Sequence, residues 1–241
     1  MRRGDSAVGL SRSPTMIRVI FLEYAVDTAR ACHDAGLKTV AVTAGYITPE
    51  ARSEFYADID AANVDLKGFN QPFYRNLCGG RLADVLDTLV WIKSHTNAWL
   101  EVTTLLIPGE YDSDAEIGAL SAWFVTELGR DVPLHFSAFH PDWRMRDHPP
   151  TPPETLTRAR ATAMSHGLRY VYTRNVHDDA GGSTYCHGCG ALLIGRDLYE
   201  LTGWGLEAIG RCRSCGVAAA GVFETQPGTW GRKRQPVTFG N

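Results

Sequence analysis

Two hydrophobic rhythms alternate along residues 20–172. Over residues 20–35 (IFLEYAVDTARACHDA) apolar side chains recur every three or four positions and form one helical stripe. Gly36 follows where a left-handed stop is wanted. LKTVAVT is short and dense in β-branched and apolar residues, the pattern of a buried strand. Thr48 and Pro49 supply an N-cap and a first helical residue for PEARSEFYADI, and NVDLKGF is the next strand. RLADVLDTLVWIKSH returns to helical spacing, and WLEVTTLLIPG is a strand broken by Pro108 and Gly109. Asp112, Ser113 and Asp114 bring capping oxygens and negative charge to the helix AEIGALSAWFVTEL, which stops at Gly129. LHFSAFH is the fourth strand. HPPTPPETL cannot continue it and opens a helix ending at Gly167, with RYVYT as the fifth strand.

This order of strand, loop and helix predicts an α/β fold with a parallel sheet, open or curved as part of a barrel. Functional groups would gather at the C-terminal ends of its strands. Residues 178–183 (DDAGGS) read as a flexible joint, and beyond Tyr185 the chain becomes glycine-rich with paired cysteines. The first eighteen residues fit no element and are expected to be disordered.

Composition adds limits. With 44% hydrophobic and 21% charged residues, a packed core is expected rather than global disorder. A net charge of -3 gives no general attraction for nucleic acid or an anionic membrane. The run Arg232, Lys233, Arg234 reads as a solvated tail, so a nucleic-acid partner is not expected. No stretch approaches the ~20 apolar residues that span a bilayer. The basic N-terminus has no apolar segment behind it, so it does not read as a secretory signal. The expectation is a cytoplasmic chain whose six cysteines stay reduced and serve metal or chemistry rather than disulfides.

Four of those cysteines form two identical units, Cys186-x-x-Cys189-Gly190 and Cys212-x-x-Cys215-Gly216, separated by room for one hairpin. A two-residue gap lets both sulfurs face one ion, and the glycine bends the backbone so that amides point at the thiolates. Four thiolates around a divalent ion carry a net charge of about -2. Arg196, Arg211 and Arg213 are near enough in sequence to favour it. The spacing predicts a structural zinc ribbon, with iron as the alternative metal and redox dithiols as the alternative chemistry.

Polar groups also stand at three strand ends: Thr43-Ala44-Gly45, Asp65-Leu66-Lys67 and Ala138-Phe139-His140. Taken in order, with LLIPGEYDSD between the second and third, they resemble the radical SAM enzymes similar to pyruvate formate-lyase activating enzymes. Within these, VDLKGF, LEVTTLLIPGE, FHPDWRM, YVYTRNVHD and the YCHGCG ribbon look like the AmmeMemoRadiSam system radical SAM group, from about Val19 to about Phe223. The resemblance implies a partial β/α barrel whose strand ends bind S-adenosylmethionine beside a [4Fe-4S] cluster. Reductive cleavage there releases a 5'-deoxyadenosyl radical. It further implies that Thr43 and Gly45 line the cofactor, that Asp65 and Lys67 approach its polar groups, and that His140 sits near its ribose or methionine part. Ala44 stands where the family often has asparagine.

The family's CxxxCxxC loop is absent from this sequence, and Cys32 and Cys78 stand isolated. The resemblance therefore implies an N-terminally truncated member lacking its first two βα units. The expected organisation is a non-family segment over residues 1–18, the partial barrel over 19–177, a zinc ribbon over 184–224 and a flexible tail over 225–241. Two functions follow: a radical SAM protein without its own cluster, or a non-catalytic zinc-ribbon module. The family name implies AMMECR1-like and Memo-like proteins as partners.

Overall fold

The computed structural model describes residues 15–17 and 21–228. The remainder of the expected N-terminal segment and the tail from residue 229, with Arg232, Lys233 and Arg234, lie outside the described residues.

Six parallel strands pair in chain order: β1 (Thr15–Ile17), β2 (Thr39–Thr43), β3 (Ala61–Asp65), β4 (Trp99–Leu106), β5 (Leu134–Ala138) and β6 (Val171–Arg174). Between them run α1 (Leu22–Asp34), α2 (Pro49–Tyr56), the short α3 (Gln71–Phe73), α4 (Leu82–His95), α5 (Asp114–Glu127) and α6 (Pro153–Ser165). Because crossovers between parallel strands are right-handed, a strand order that never reverses puts every helix on the same face. The core shows this. Ala41, Val64, Val102, Leu106, Leu134, Phe136 and Val171 pack on Ala29, Phe55, Leu89, Ile117, Phe124 and Leu156 of the helices.

β1 corrects the expectation that residues 1–18 join no element: Thr15, Met16 and Ile17 pair with Thr39, Val40 and Ala41. Three residues are too few to display a period, but they satisfy the outer edge of β2. The ends of the helices follow their local chemistry. Glu116 N donates to Ser113 Oγ, and Glu116 closes the reciprocal capping box on α5. Gly36, Gly129 and Gly167 stop three helices at positive φ.

A second unit follows. α7 (Asp179–Gly182) leads to an antiparallel sheet of β7 (Thr184–Tyr185), β8 (Leu192–Asp197) and β9 (Glu200–Trp204). Residues 178–183 are therefore an ordered turn and not a loose joint. Asp178 accepts from Gly181 N at 2.8 Å and from Thr173 Oγ1 at 2.9 Å, and a Cβ at Gly181 would strike both side chains. The second unit has its own small core of Cys186, Leu193, Ile194, Leu206 and Cys212.

Candidate functional site

The four expected cysteines converge. Each first cysteine donates its N–H five residues ahead (Cys186 to Ala191 O, Cys212 to Val217 O). Each following glycine donates back (Gly190 to Cys186 O, Gly216 to Cys212 O), all at 2.8–2.9 Å. Gly190 and Gly216 take φ 76 and 75, so the two units are conformational copies that only glycine closes without strain. Their four Sγ atoms all lie within 4.8 Å of one another, with Cys186 to Cys215 at 3.5 Å and Cys189 to Cys212 at 3.7 Å. At Cys212 burial opposes ionisation, but the amides of Cys215 and Ser214 outweigh it and hold the thiol down at about 7. The group can hold a metal ion. Arg211 donates to Gly216 O and Arg213 to Leu206 O, so both brace the ribbon. Arg196 turns away to Thr184 and Gly182.

The other expected residues stand at or just beyond the C-terminal ends of β2, β3 and β5. Thr43 is in register with Val64, on the helix-covered face, and its Oγ1 accepts from Gly45 N at 3.2 Å. Gly45 is buried at φ 71, and a Cβ there would meet Val64 and Val85 at 3.0 and 3.1 Å. Asp65 accepts from Lys67 Nζ at 2.7 Å, and Lys67 N donates to Tyr74 Oη at 3.0 Å. Tyr74 opens a π-helical turn, Tyr74–Cys78, which closes at Gly79 with φ 70. Wide turns of this kind frequently accompany functional sites. His140 lies exposed just beyond β5, in a loop where the exposed Trp143 takes φ 46 beneath Arg144.

The sequence reading missed the opposite face of the sheet. Register puts Asn63, Asp65, Glu101, Thr103, His135, Ser137, Tyr172 and Arg174 on one side of four adjacent strands. Parallel sheets ordinarily carry apolar residues on both faces, so eight largely polar neighbours mark this one as a working surface. Thr103 Oγ1 donates to Asn63 Oδ1 at 2.9 Å. Trp99 Nε1 and His135 Nε2 meet the two oxygens of Glu101 at 3.0 and 2.8 Å, and Arg174 Nε donates to His135 Nδ1 at 3.1 Å. Since arginine only donates, His135 Nδ1 must accept, so the imidazole is neutral and its Nε2 proton points at Glu101. Burial, partly opposed by Glu101, accordingly pushes the His135 pKa below its ordinary value. Burial works against Glu101, but the His135 hydrogen bond outweighs it and lowers the carboxyl. The signal was present as a period of two: Glu101 and Thr103 in WLEVTTLL, His135 and Ser137 in LHFSAFH.

The ribbon abuts this face at β6. Tyr172 Oη and Thr184 Oγ1 are 2.9 Å apart, and Ala220 N donates to Tyr170 Oη at 2.9 Å. Between the two units lies a cavity of about 370 Å³, lined by Arg160, Leu168, Tyr170, Tyr172, Tyr185 and His187 among others. A third group, His177, Asp179 and Asp197, gathers in the same region, mostly exposed.

No protein-family model matches the chain. It is 40% identical over 198 residues to an uncharacterized protein of Methanocaldococcus jannaschii, covering 82% of this chain and 58% of that one. The chain thus spans less than two thirds of that relative's length. Among solved structures it is similar to a domain of pyruvate-formate lyase-activating enzyme from Bacteroides vulgatus. That match has a TM-score of 0.59 and 12% identity over 67% of this chain and 98% of the other. It is also similar to SuiB of Streptococcus suis, with TM-score 0.52 and 10% identity over 64% and 36% of the two chains. At those identities the likeness is one of fold. No helix among the described residues is long and apolar enough to cross a membrane.

Proposed function

We propose that this chain is a radical SAM family protein of the AmmeMemoRadiSam type, whose sheet receives S-adenosylmethionine and whose ribbon holds one structural zinc ion. The observation that carries the reading is the polar, helix-free sheet face, ending at β3 on the Asp65 and Lys67 ion pair. The strand-end motifs support it, as does the fold shared with a domain of an activating enzyme. In this reading Lys67 takes the methionyl carboxylate and Asp65 aligns the ammonium that reaches it. Gly45 brings backbone close to the cofactor, with Thr43 holding the turn, and His140 approaches from β5.

In the intact family, the bound cofactor and a [4Fe-4S] cluster together supply a 5'-deoxyadenosyl radical. Outside the ribbon's four cysteines, the described residues offer that cluster no ligand set. Cys32 is buried in α1, Cys78 ends the wide turn, and neither belongs to a group of metal-ligating side chains. No step of the radical reaction is therefore assigned to this chain. Zinc suits the ribbon because tetrahedral bonds of about 2.3 Å put sulfurs about 3.8 Å apart. The thiols already approach that spacing.

Calorimetry with S-adenosylmethionine should show binding that Lys67→Met weakens roughly tenfold. Equal affinity of the two proteins would remove Lys67 from the site. Zinc, iron and sulfide analysis after anaerobic reconstitution should find one zinc per chain and no stoichiometric cluster; a full [4Fe-4S] signal would overturn the assignment. A second reading, a non-catalytic ribbon that docks AMMECR1-like or Memo-like proteins, is favoured by the β8–β9 hairpin tip. There Leu198 and Tyr199 are 45% and 78% exposed, with Leu198 at φ 52. Pull-down with Cys212→Ser should lose such a partner, and equal recovery counts against docking.

A further inference from the structure

The polar face ends, beside the ribbon, on two guanidinium groups around one aromatic ring. The Arg174 and Arg196 guanidinium carbons lie 5.6 and 5.8 Å from the Tyr172 ring centre, and the His135 ring stacks on the same ring at 5.0 Å. Glu101 is the acid of this network, and its oxygens are already taken by Trp99 and His135. Arg174 spends Nε on His135, and Arg196 spends Nη1 on Thr184 and Gly182. The two Nη groups of Arg174 have no hydrogen-bond partner among the described residues. Two positive charges thus share a half-buried surface with one carboxylate, and several donors remain unused. Such donors are favourably filled by planar or tetrahedral oxyanions, which guanidinium groups bind in a forked arrangement.

We infer that Arg174 and Arg196 form a binding site for the carboxylate or phosphate of a small molecule at the seam between sheet and ribbon. The placement of Arg174 is built in. Asn175, next along, takes φ 60 and donates to Ser137 Oγ at 2.9 Å, which pins the end of β6. Tyr172 is buried and tied to Thr184, so the ring carrying both arginines cannot swing away. Burial first, and Arg196 second, lower the Arg174 pKa, as expected where two cations wait for an anion. The site shares the polar face with the proposed S-adenosylmethionine site but uses none of Thr43, Gly45, Asp65, Lys67 or His140, so variants of the two sets tell the readings apart.

The test is calorimetric titration of the full chain, metal loaded, with inorganic phosphate and with succinate. One of the two should bind. Tighter phosphate identifies a phosphorylated ligand, and tighter succinate identifies a carboxylate. Arg174→Gln and Arg196→Gln should each weaken that binding roughly tenfold. Arg30→Gln, the same charge change at the exposed Asp58 pair, should leave it unchanged. Should Arg174→Gln fail to fold, Arg196→Gln on the ribbon still decides. Absence of binding by either anion, or equal binding by wild type and the arginine variants, overturns the site. Binding of S-adenosylmethionine, measured in parallel, tests the other reading independently.

Discussion

At the scale of single residues, two histidines in opposite settings give stability a maximum near neutrality. His135 is buried and held neutral, so its folded pKa lies below the unfolded value of about 6.5. As pH falls below that value the unfolded chain takes a proton that the native ring refuses, and stability drops. His148 is paired with Glu110 at 3.1 Å and Asp147 at 3.0 Å, and Glu110 chiefly raises its pKa. Its contribution is full below about 6.5 and is lost as pH rises through the raised value. Urea midpoints measured from about pH 5 to 8 should therefore peak near 6.5. His135→Gln should flatten the acid limb and His148→Gln the alkaline one. An unchanged acid limb in His135→Gln would show that the ring is not held neutral. Neither residue was marked by sequence. His135 sits in a run of buried strand residues, and only the register with Glu101 and Arg174 reveals its partners. Gly45 was legible as special, but its observed packing on Val64 and Val85 already accounts for the glycine.

At the scale of elements, helix ends were readable because their chemistry is local. The Ser113 cap, Pro49 at the start of α2 and the glycine stops all act within a few residues of themselves. The working face was not readable, because it exists only once β3, β4, β5 and β6 lie in register. Contacts between helices were equally hidden. Arg52 of α2 is only 4% exposed and donates to Asp87 of α4 at 2.6 Å, while Asp87 remains 65% exposed. The Nε of Arg52 is buried without a hydrogen-bond partner among the described residues. Asp87→Ala should therefore strand a buried guanidinium and destabilise by roughly 1–3 kcal/mol in urea unfolding. Arg52→Met removes the charge together with its need for a partner and should cost less. The reverse ranking would mean that the ion pair, rather than the desolvated cation, dominates the α2–α4 contact.

At the scale of the molecule, the two ends of the sheet do different work. The N-terminal end is knotted by Asp60, which accepts from Lys38 at 2.7 Å and Thr39 N at 2.9 Å and meets His33 at 2.9 Å. Burial opposes its ionisation, yet Lys38 and Thr39 outweigh it and hold the carboxyl well below the usual range. The C-terminal end carries Lys67, His140, the left-handed Trp143 and Asn175, and the seam with the ribbon. Strain held at one end of a sheet whose other end is firmly bonded is the usual division between function and stability. The ribbon belongs to the functional end but does not share the main core. Two of its five buried core residues are the thiols Cys186 and Cys212 themselves, so little apolar area holds it without metal. A strong chelator should therefore strip exchange protection from the amides of Cys186, Gly190, Cys212 and Gly216 while β3 and β4 stay protected. Arg196 and Thr184 travel with the ribbon, so the same treatment should weaken oxyanion binding without touching the Asp65 and Lys67 pair. Unchanged protection in the ribbon would show that it folds without metal. Loss of protection in β3 and β4 as well would show that ribbon and sheet unfold as one unit.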